Sequence, residues 1–167
     1  GINKALPDTV NGMSSTDDDE TIGVVVARSS TQPTVYYLYD FEARSLKFLA
    51  DSMPWIKSEE MSEMVPIEYT ARDGLKINGY LSLPPGSEGQ NLPMVINPHG
   101  GPWARDGWVF NPEIQFLANR GYGVLQMNFR GSTGFGMNHE YSSYRQWGQA
   151  MQNDITYAVQ WAIDEGI

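Results

Sequence analysis

"LPMVINPHGGPWARDGWVFNPEIQFLANRGYGVLQMNF", residues 92–129, decides the fold. Its first seven residues are a short apolar run bounded by prolines, the pattern of a strand buried on both faces of a parallel sheet. In "NPEIQFLANRG", Asn111 is placed to cap a helix, Pro112 to occupy its first turn and Gly121 to follow its end. "YGVLQMNF" is a second buried strand. Residues 93–129 therefore predict a strand–helix–strand unit, which packs as a right-handed parallel crossover.

The same grammar extends towards higher numbers. In "WGQAMQNDITYAVQWAIDEGI", residues 147–167, Met151, Ile155, Ala158, Val159 and Ala162 recur at helical spacing and Gly166 supplies a stop. An amphipathic helix is expected to cover the sheet, and in an alternating α/β chain a further strand would come next. Towards lower numbers, "MSEMVPIEYTARDGLKINGYLSLPPGSEG", residues 61–89, reads as two strands flanking the turn "ARDG", with a Pro/Gly/Ser loop at 84–91 closing the hairpin. Before residue 60 the pattern is all-β. "TIGVVVARSS" and "PTVYYLYDFEARSLKFLA" hold short apolar and β-branched runs between polar turns, and "FEAR" joins the last two as an antiparallel hairpin of the kind repeated in sandwiches and propellers. The change of grammar near residues 54–62 divides the chain into a β-rich segment, 1–60, and an α/β segment, 61–167.

Composition narrows the function. With 11 Lys and Arg against 20 Asp and Glu, the formal charge of -9 repels a polyanion and argues against nucleic-acid binding. There is no cysteine, so neither disulfides nor cysteine-ligated metal sites can form, and the compartment, cytoplasmic or exported, is left open. No apolar run approaches the roughly 18 residues of a membrane helix, so the chain reads as soluble with no membrane partner. "STDDDE", residues 15–20, lacks the alternating ligands and glycine of a calcium loop and reads as a solvated turn, so no metal is expected.

The chemistry concentrates in "HGGPWARDG". Glycines after a sheet strand permit a sharp turn, or let a ligand approach bare backbone N–H groups. The spacing is neither G-x-G-x-x-G nor G-x-x-x-x-G-K-[ST], and Pro102 removes one donor, so a phosphate cradle does not fit. An oxyanion hole for acyl transfer does, since only a backbone amide can sit that close to a developing O⁻ without obstruction. The two histidines are His99 and His139, the second in "MNHEYSSYRQ", which reads as a loop. Ser132 in "RGSTGFG" lacks the spacing of a nucleophile elbow and is expected to be a loop serine without a positioned base; a couple between His139 and Ser132, Ser142 or Ser143 is the weak alternative.

"INPHGGPWARDGWVFNPEIQFLANRGYGVLQMNFRGSTGFG", followed by "WGQAMQNDI", resembles the prolyl oligopeptidase family of serine peptidases, in its acylaminoacyl peptidase and dipeptidyl aminopeptidase-like branch. "IEYTARDGLKINGYLSLP" is similar to that family's lead-in to its hydrolase domain. The resemblance is strong over residues 64–167 and loose before them. It implies the last β-strands of a β-propeller followed by the N-terminal half of an α/β-hydrolase domain. It also implies a peptidase that cleaves short peptides through an acyl-enzyme, without a cofactor. By the same resemblance the N–H of Gly101 lines the oxyanion hole, while His99, Gly100 and Pro102 shape the turn. His99 precedes the position of a nucleophile and is not the base. Trp103 and Arg130 are candidates to contact substrate, though the first expectation for Arg130 is a structural pair with an acid. Trp103, Trp108, Trp147 and Trp161 are first expected to serve core and interdomain packing, and Asp154 to be a solvated or capping acid. No G-x-S-x-G occurs in the chain, so the triad is expected beyond Ile167 and the remainder of the same protein becomes the required partner. A carboxylesterase or lipase of the same superfamily, and a non-catalytic binding module, remain as rival readings.

Overall fold

A computed structural model describes every residue from Gly1 to Ile167. The chain divides into two compact units, Gly1–Met61 with Val109–Pro112, and Ser62–Trp108 with Glu113–Ile167. The first unit opens with a single helical turn, α1 (Ile2–Ala5), and continues as four strands, β1 (Val10–Thr16), β2 (Ile22–Arg28), β3 (Val35–Asp40) and β4 (Ser45–Asp51). They form one antiparallel sheet in chain order. In β2, Gly23, Val25 and Ala27 are buried while the residues between them are not, the period-two pattern of a strand with one covered face. The turn after β1 is built on Asp17, whose carboxylate accepts from Thr21 N, Thr21 Oγ1 and Ile22 N at 2.6–2.9 Å. These bonds hold the carboxyl below its usual range, the side-chain bond from Thr21 first among them. Asp17 thus serves its own turn.

The second unit carries the α/β part. β5 (Met64–Thr70) and β6 (Lys76–Ser82) form the expected hairpin around the "ARDG" turn. β7 (Met94–Ile96), α2 (Pro112–Ala118) and β8 (Gly123–Asn128) form the strand–helix–strand unit, with β7 and β8 parallel. Pro112 opens α2 as the sequence predicts, and Gly121 follows its end at φ 90°. The sheet order is β5-β6-β8-β7, so β7 lies at an edge. Every residue of β8 is buried. The helix α4 (Ala150–Asp164) runs against β5 and β8, and its Met151, Ala158 and Ala162 join Tyr69, Ile77, Leu81, Leu125, Met127 and Phe129 in one core.

Three sequence expectations are corrected. The loop at 84–91 leads from β6 to β7 and does not close the hairpin. "MNHEYSSYRQ" is not all loop, because Met137–Tyr141 form a short helix, α3. Residues 1–60 are not all β, since α1 and a 3-10 turn at Ser58–Glu60 interrupt them. No helix is long and apolar enough to cross a membrane.

Candidate functional site

β7 delivers the chain into the glycine turn, and the turn is bare as its sequence requires. Gly100 and Gly101 are exposed, and neither their N–H groups nor that of Trp103 has a hydrogen-bond partner. Gly101 stands at φ 149°, and a Cβ there would lie 2.9 Å from Trp103 N and 3.3 Å from Ala104 N, so only glycine fits without displacement. The following bond, Gly101–Pro102, is cis.

His99 anchors the other end of the turn. Its ring stacks on Phe129 with centroids 4.6 Å apart and planes at 16°. Nδ1 lies 2.7 Å from the Gly100 carbonyl, and Nε2 lies 2.8 Å from Ser132 Oγ. Ser132 therefore does have a ring nitrogen beside it, contrary to the expectation of a serine with no positioned base. Its hydroxyl proton is directed to the Phe129 carbonyl at 2.7 Å, so the oxygen accepts from His99 Nε2, and the residue is wholly buried. That is the reverse of a nucleophile handing its proton to a base, and no substrate carbonyl can reach it. His139 Nε2 faces the carbonyls of Asn128 and Phe129 at 3.2 and 3.1 Å, and the hydroxyls of Ser142 and Ser143 donate to main-chain carbonyls. The weak alternative couple through His139 is not formed.

The segment after the turn is fixed to β8. Thr133 N donates to Ala104 O at 2.9 Å. Asn128 binds the main chain of Asp106 on both sides: Asp106 N donates to Asn128 Oδ1 at 2.8 Å, and Asn128 Nδ2 donates to Asp106 O at 3.2 Å. The Asp106 carboxyl meets the Gln126 side chain, and burial pushes it above the ordinary carboxylate value against the opposing pull of His99 and Gln126. Trp103 is exposed and meets Tyr144 and Trp147 ring to ring at 6.4 Å each. Trp103 and Trp147 are therefore surface rings, not core packing.

Arg130 and Asp154 depart most from expectation. Asp154, read as solvated or capping, is completely buried. Its Oδ2 accepts from Arg130 N at 3.0 Å and Nε at 2.8 Å, and its Oδ1 accepts from Nη2 at 2.8 Å. Arg130 also binds Asp73 bidentately at 2.8 and 3.0 Å. With its guanidinium held by two carboxylates and 6% of the residue exposed, Arg130 has no free face for a peptide carboxylate, so the structural-pair expectation describes it and the substrate-contact expectation does not. The two acids, Asp154 first, raise its pKa, and the bond from Arg130 holds Asp73 below its ordinary value.

A glycine turn after a parallel strand, tied by the "NFRGS" segment to a helix beginning near "WGQ", is an arrangement with known counterparts. Residues 108–167 match the prolyl oligopeptidase family. The chain is similar, at 38% identity, to dipeptidyl aminopeptidase BIII of Pseudoxanthomonas mexicana over 96% of its own length and 24% of that protein's. It is 34% identical to dipeptidyl peptidase family member 6 of Caenorhabditis elegans, over 89% and 23%. Among solved structures, a puromycin-hydrolysing peptidase of Mycobacterium tuberculosis aligns with a TM-score of 0.75 at 27% identity, covering 88% of this chain and 24% of that one. Acylaminoacyl peptidase of Pyrococcus horikoshii, at 24% identity and a TM-score of 0.70 over 89% and 23%, shares the fold. The chain thus spans about a quarter of the length of these relatives. The prolyl oligopeptidase family and the named relatives are peptidases, as the sequence resemblance implies.

The prolyl oligopeptidase motifs locate the turn but not what braces it. Asp73, Asp106, Gln126 and Asn128 were missed as site residues. A signal existed for two of them: "VLQMNF" reads as a buried strand, yet Gln126 and Asn128 recur at i and i+2, which places two amides on one face among apolar neighbours.

Proposed function

We propose that these residues are the oxyanion-side portion of a serine-type oligopeptidase or aminopeptidase that hydrolyses short peptides through an acyl-enzyme. The observation that carries the reading is the pair of exposed, partnerless glycine amides at the end of β7. The N–H of Gly101 donates to the oxygen of the attacked carbonyl as it becomes an oxyanion, a service worth on the order of 10²–10³ in rate where a single donor has been removed. His99, Gly100 and Pro102 give the turn its shape, and Trp103 borders the substrate. The Ser-Asp-His triad lies outside the 167 residues, which contain no G-x-S-x-G, and the chain alone is inactive. Residues 1–60 are the closing strands of a β-propeller, for which the four-stranded antiparallel meander is the appropriate unit. A carboxylesterase would share the turn, but the β-rich lead-in favours the peptidase.

A fluorophosphonate probe applied to the intact protein, followed by mass mapping, tests the proposal. Labelling of a serine outside residues 1–167, together with peptide hydrolysis, is the expected result. An adduct on any serine within Gly1–Ile167 overturns the division of labour, and hydrolysis of short acyl esters without peptides overturns the substrate.

A further inference from the structure

Two buried acceptors in the second unit have no donor, Asp106 Oδ2 and Gln126 Oε1. They belong to side chains that meet, the Gln126 amide lying against the Asp106 carboxyl. One proton would supply both. We infer that Asp106 is held as a neutral carboxylic acid, its hydroxyl donating to Gln126 Oε1, and that this acid is a positioning residue for the glycine turn.

The surroundings agree. Gln126 is 4% exposed, so its oxygen has no recourse to bulk water, and an acceptor left unmet in such a place is destabilising. No lysine or arginine forms an ion pair with Asp106. The charged or titratable group facing it is His99, from the turn itself, whose positive form favours the carboxylate; the neighbouring Arg105 has its guanidinium over the Phe135 ring, 5.1 Å from the centroid. From β8 the groups that meet Asp106 are the uncharged amides of Gln126 and Asn128. Burial therefore prevails and favours the neutral form.

The consequence for the turn is mechanical. Asn128 clasps the main chain of Asp106, and Gln126, two residues earlier on the same strand, clasps its side chain. Asp106 is thereby stitched to β8 at two successive rungs, and the segment leaving Gly101 is held to the sheet. Ionisation removes the hydroxyl donor and sets a carboxylate oxygen against the amide oxygen of Gln126, which loosens Pro102–Trp108 and with it the amide of Gly101. The bearing on catalysis rests on the oxyanion reading above; the protonation state does not.

The test is a titration of the intact protein, ¹³C-labelled at aspartate Cγ and followed through the Asp106 resonance, assigned by its loss in Asp106→Asn. An inflection above the ordinary carboxylate value of 3.8 is expected, since the neutral form is stabilised by its surroundings. The Asp106→Asn chain, whose amide can donate to Gln126 Oε1 at every pH, is expected to unfold at an equal or higher urea concentration than the natural chain at pH 7. Titration of Asp106 at or below 3.8, or an Asp106→Asn chain that unfolds earlier at pH 7 but matches the natural one in acid, would show a working carboxylate and overturn the inference. In the intact protein, Asp106→Asn is expected to flatten the alkaline fall of kcat/KM. A flattened stability profile with no peptidase activity at all would instead sink the functional reading and leave the paired acid standing.

Discussion

At the scale of single residues, Arg130 shows how a charge becomes part of a scaffold. It is buried, and its partners differ in kind: Asp154 is sealed in the interior, whereas the Asp73 side chain is about half exposed. Removing the inner partner strands a buried guanidinium, so Asp154→Ala is expected to lower unfolding free energy by about 3–5 kcal/mol. Asp73→Ala is expected to cost within about 1 kcal/mol, because that pair is screened by solvent. Urea unfolding of the two variants gives the comparison, and equal losses would count against this ranking. The pairing of Arg130 with an acid was legible in the sequence as an expectation. The identity of the acids was not, because Asp73 and Asp154 are separated from Arg130 by 57 and 24 positions, and nothing local marks a carboxylate as buried.

At the scale of elements, the readable parts were those whose signals are local. Pro112 and Gly121 bracket α2, and the mostly apolar run of β8 marks a strand covered on both faces. The sequence does not disclose β1, because "VNGMSST" is exposed nearly throughout and burial has imposed no alternation on it. Nor does it disclose α3, whose five residues are too few for a helical period to register. The hydrophobic spacing of α4 was legible, but not its polar attachment, in which Tyr69 donates from its hydroxyl to Asp154 O at 2.8 Å. Burial, followed by the charge of Asp154, pushes that phenol well above its usual range, so it stays a donor. A second feature hidden from the sequence is the approach of β6 to β8 at Gly79, where a Cβ would collide with the main-chain oxygen of Gln126. Since the obstacle is backbone in a buried strand, Gly79→Ala is expected to destabilise the chain by about 1–3 kcal/mol, the usual cost of overpacking, despite alanine's lower backbone entropy when unfolded. Thermal or urea unfolding checks it, and a stabilised variant would mean that the strands move apart freely.

At the scale of the whole molecule, the two shifted aspartates act in opposite directions with pH. Asp73 has its folded pKa depressed, so its contribution is present above 3.8 and is lost as pH falls through its lower folded value. Asp106 has its folded pKa raised, so its contribution is full below 3.8 and is lost as pH rises through its higher folded value. A urea midpoint followed against pH should therefore lose its acid fall in part with Asp73→Asn and its decline above pH 3.8 in part with Asp106→Asn; a profile unchanged by either substitution would refute the assignment. The division into a β-rich and an α/β part was legible because composition changes along the chain, whereas the bracing of the turn was not, because it is made by residues from distant positions. The shortness of β7 carries a further consequence. The strand is three residues long and bracketed by Pro93 and Pro98, neither of which has an N–H to extend a ladder, so the chain is obliged to leave the sheet just ahead of the glycines and the turn begins at a fixed point.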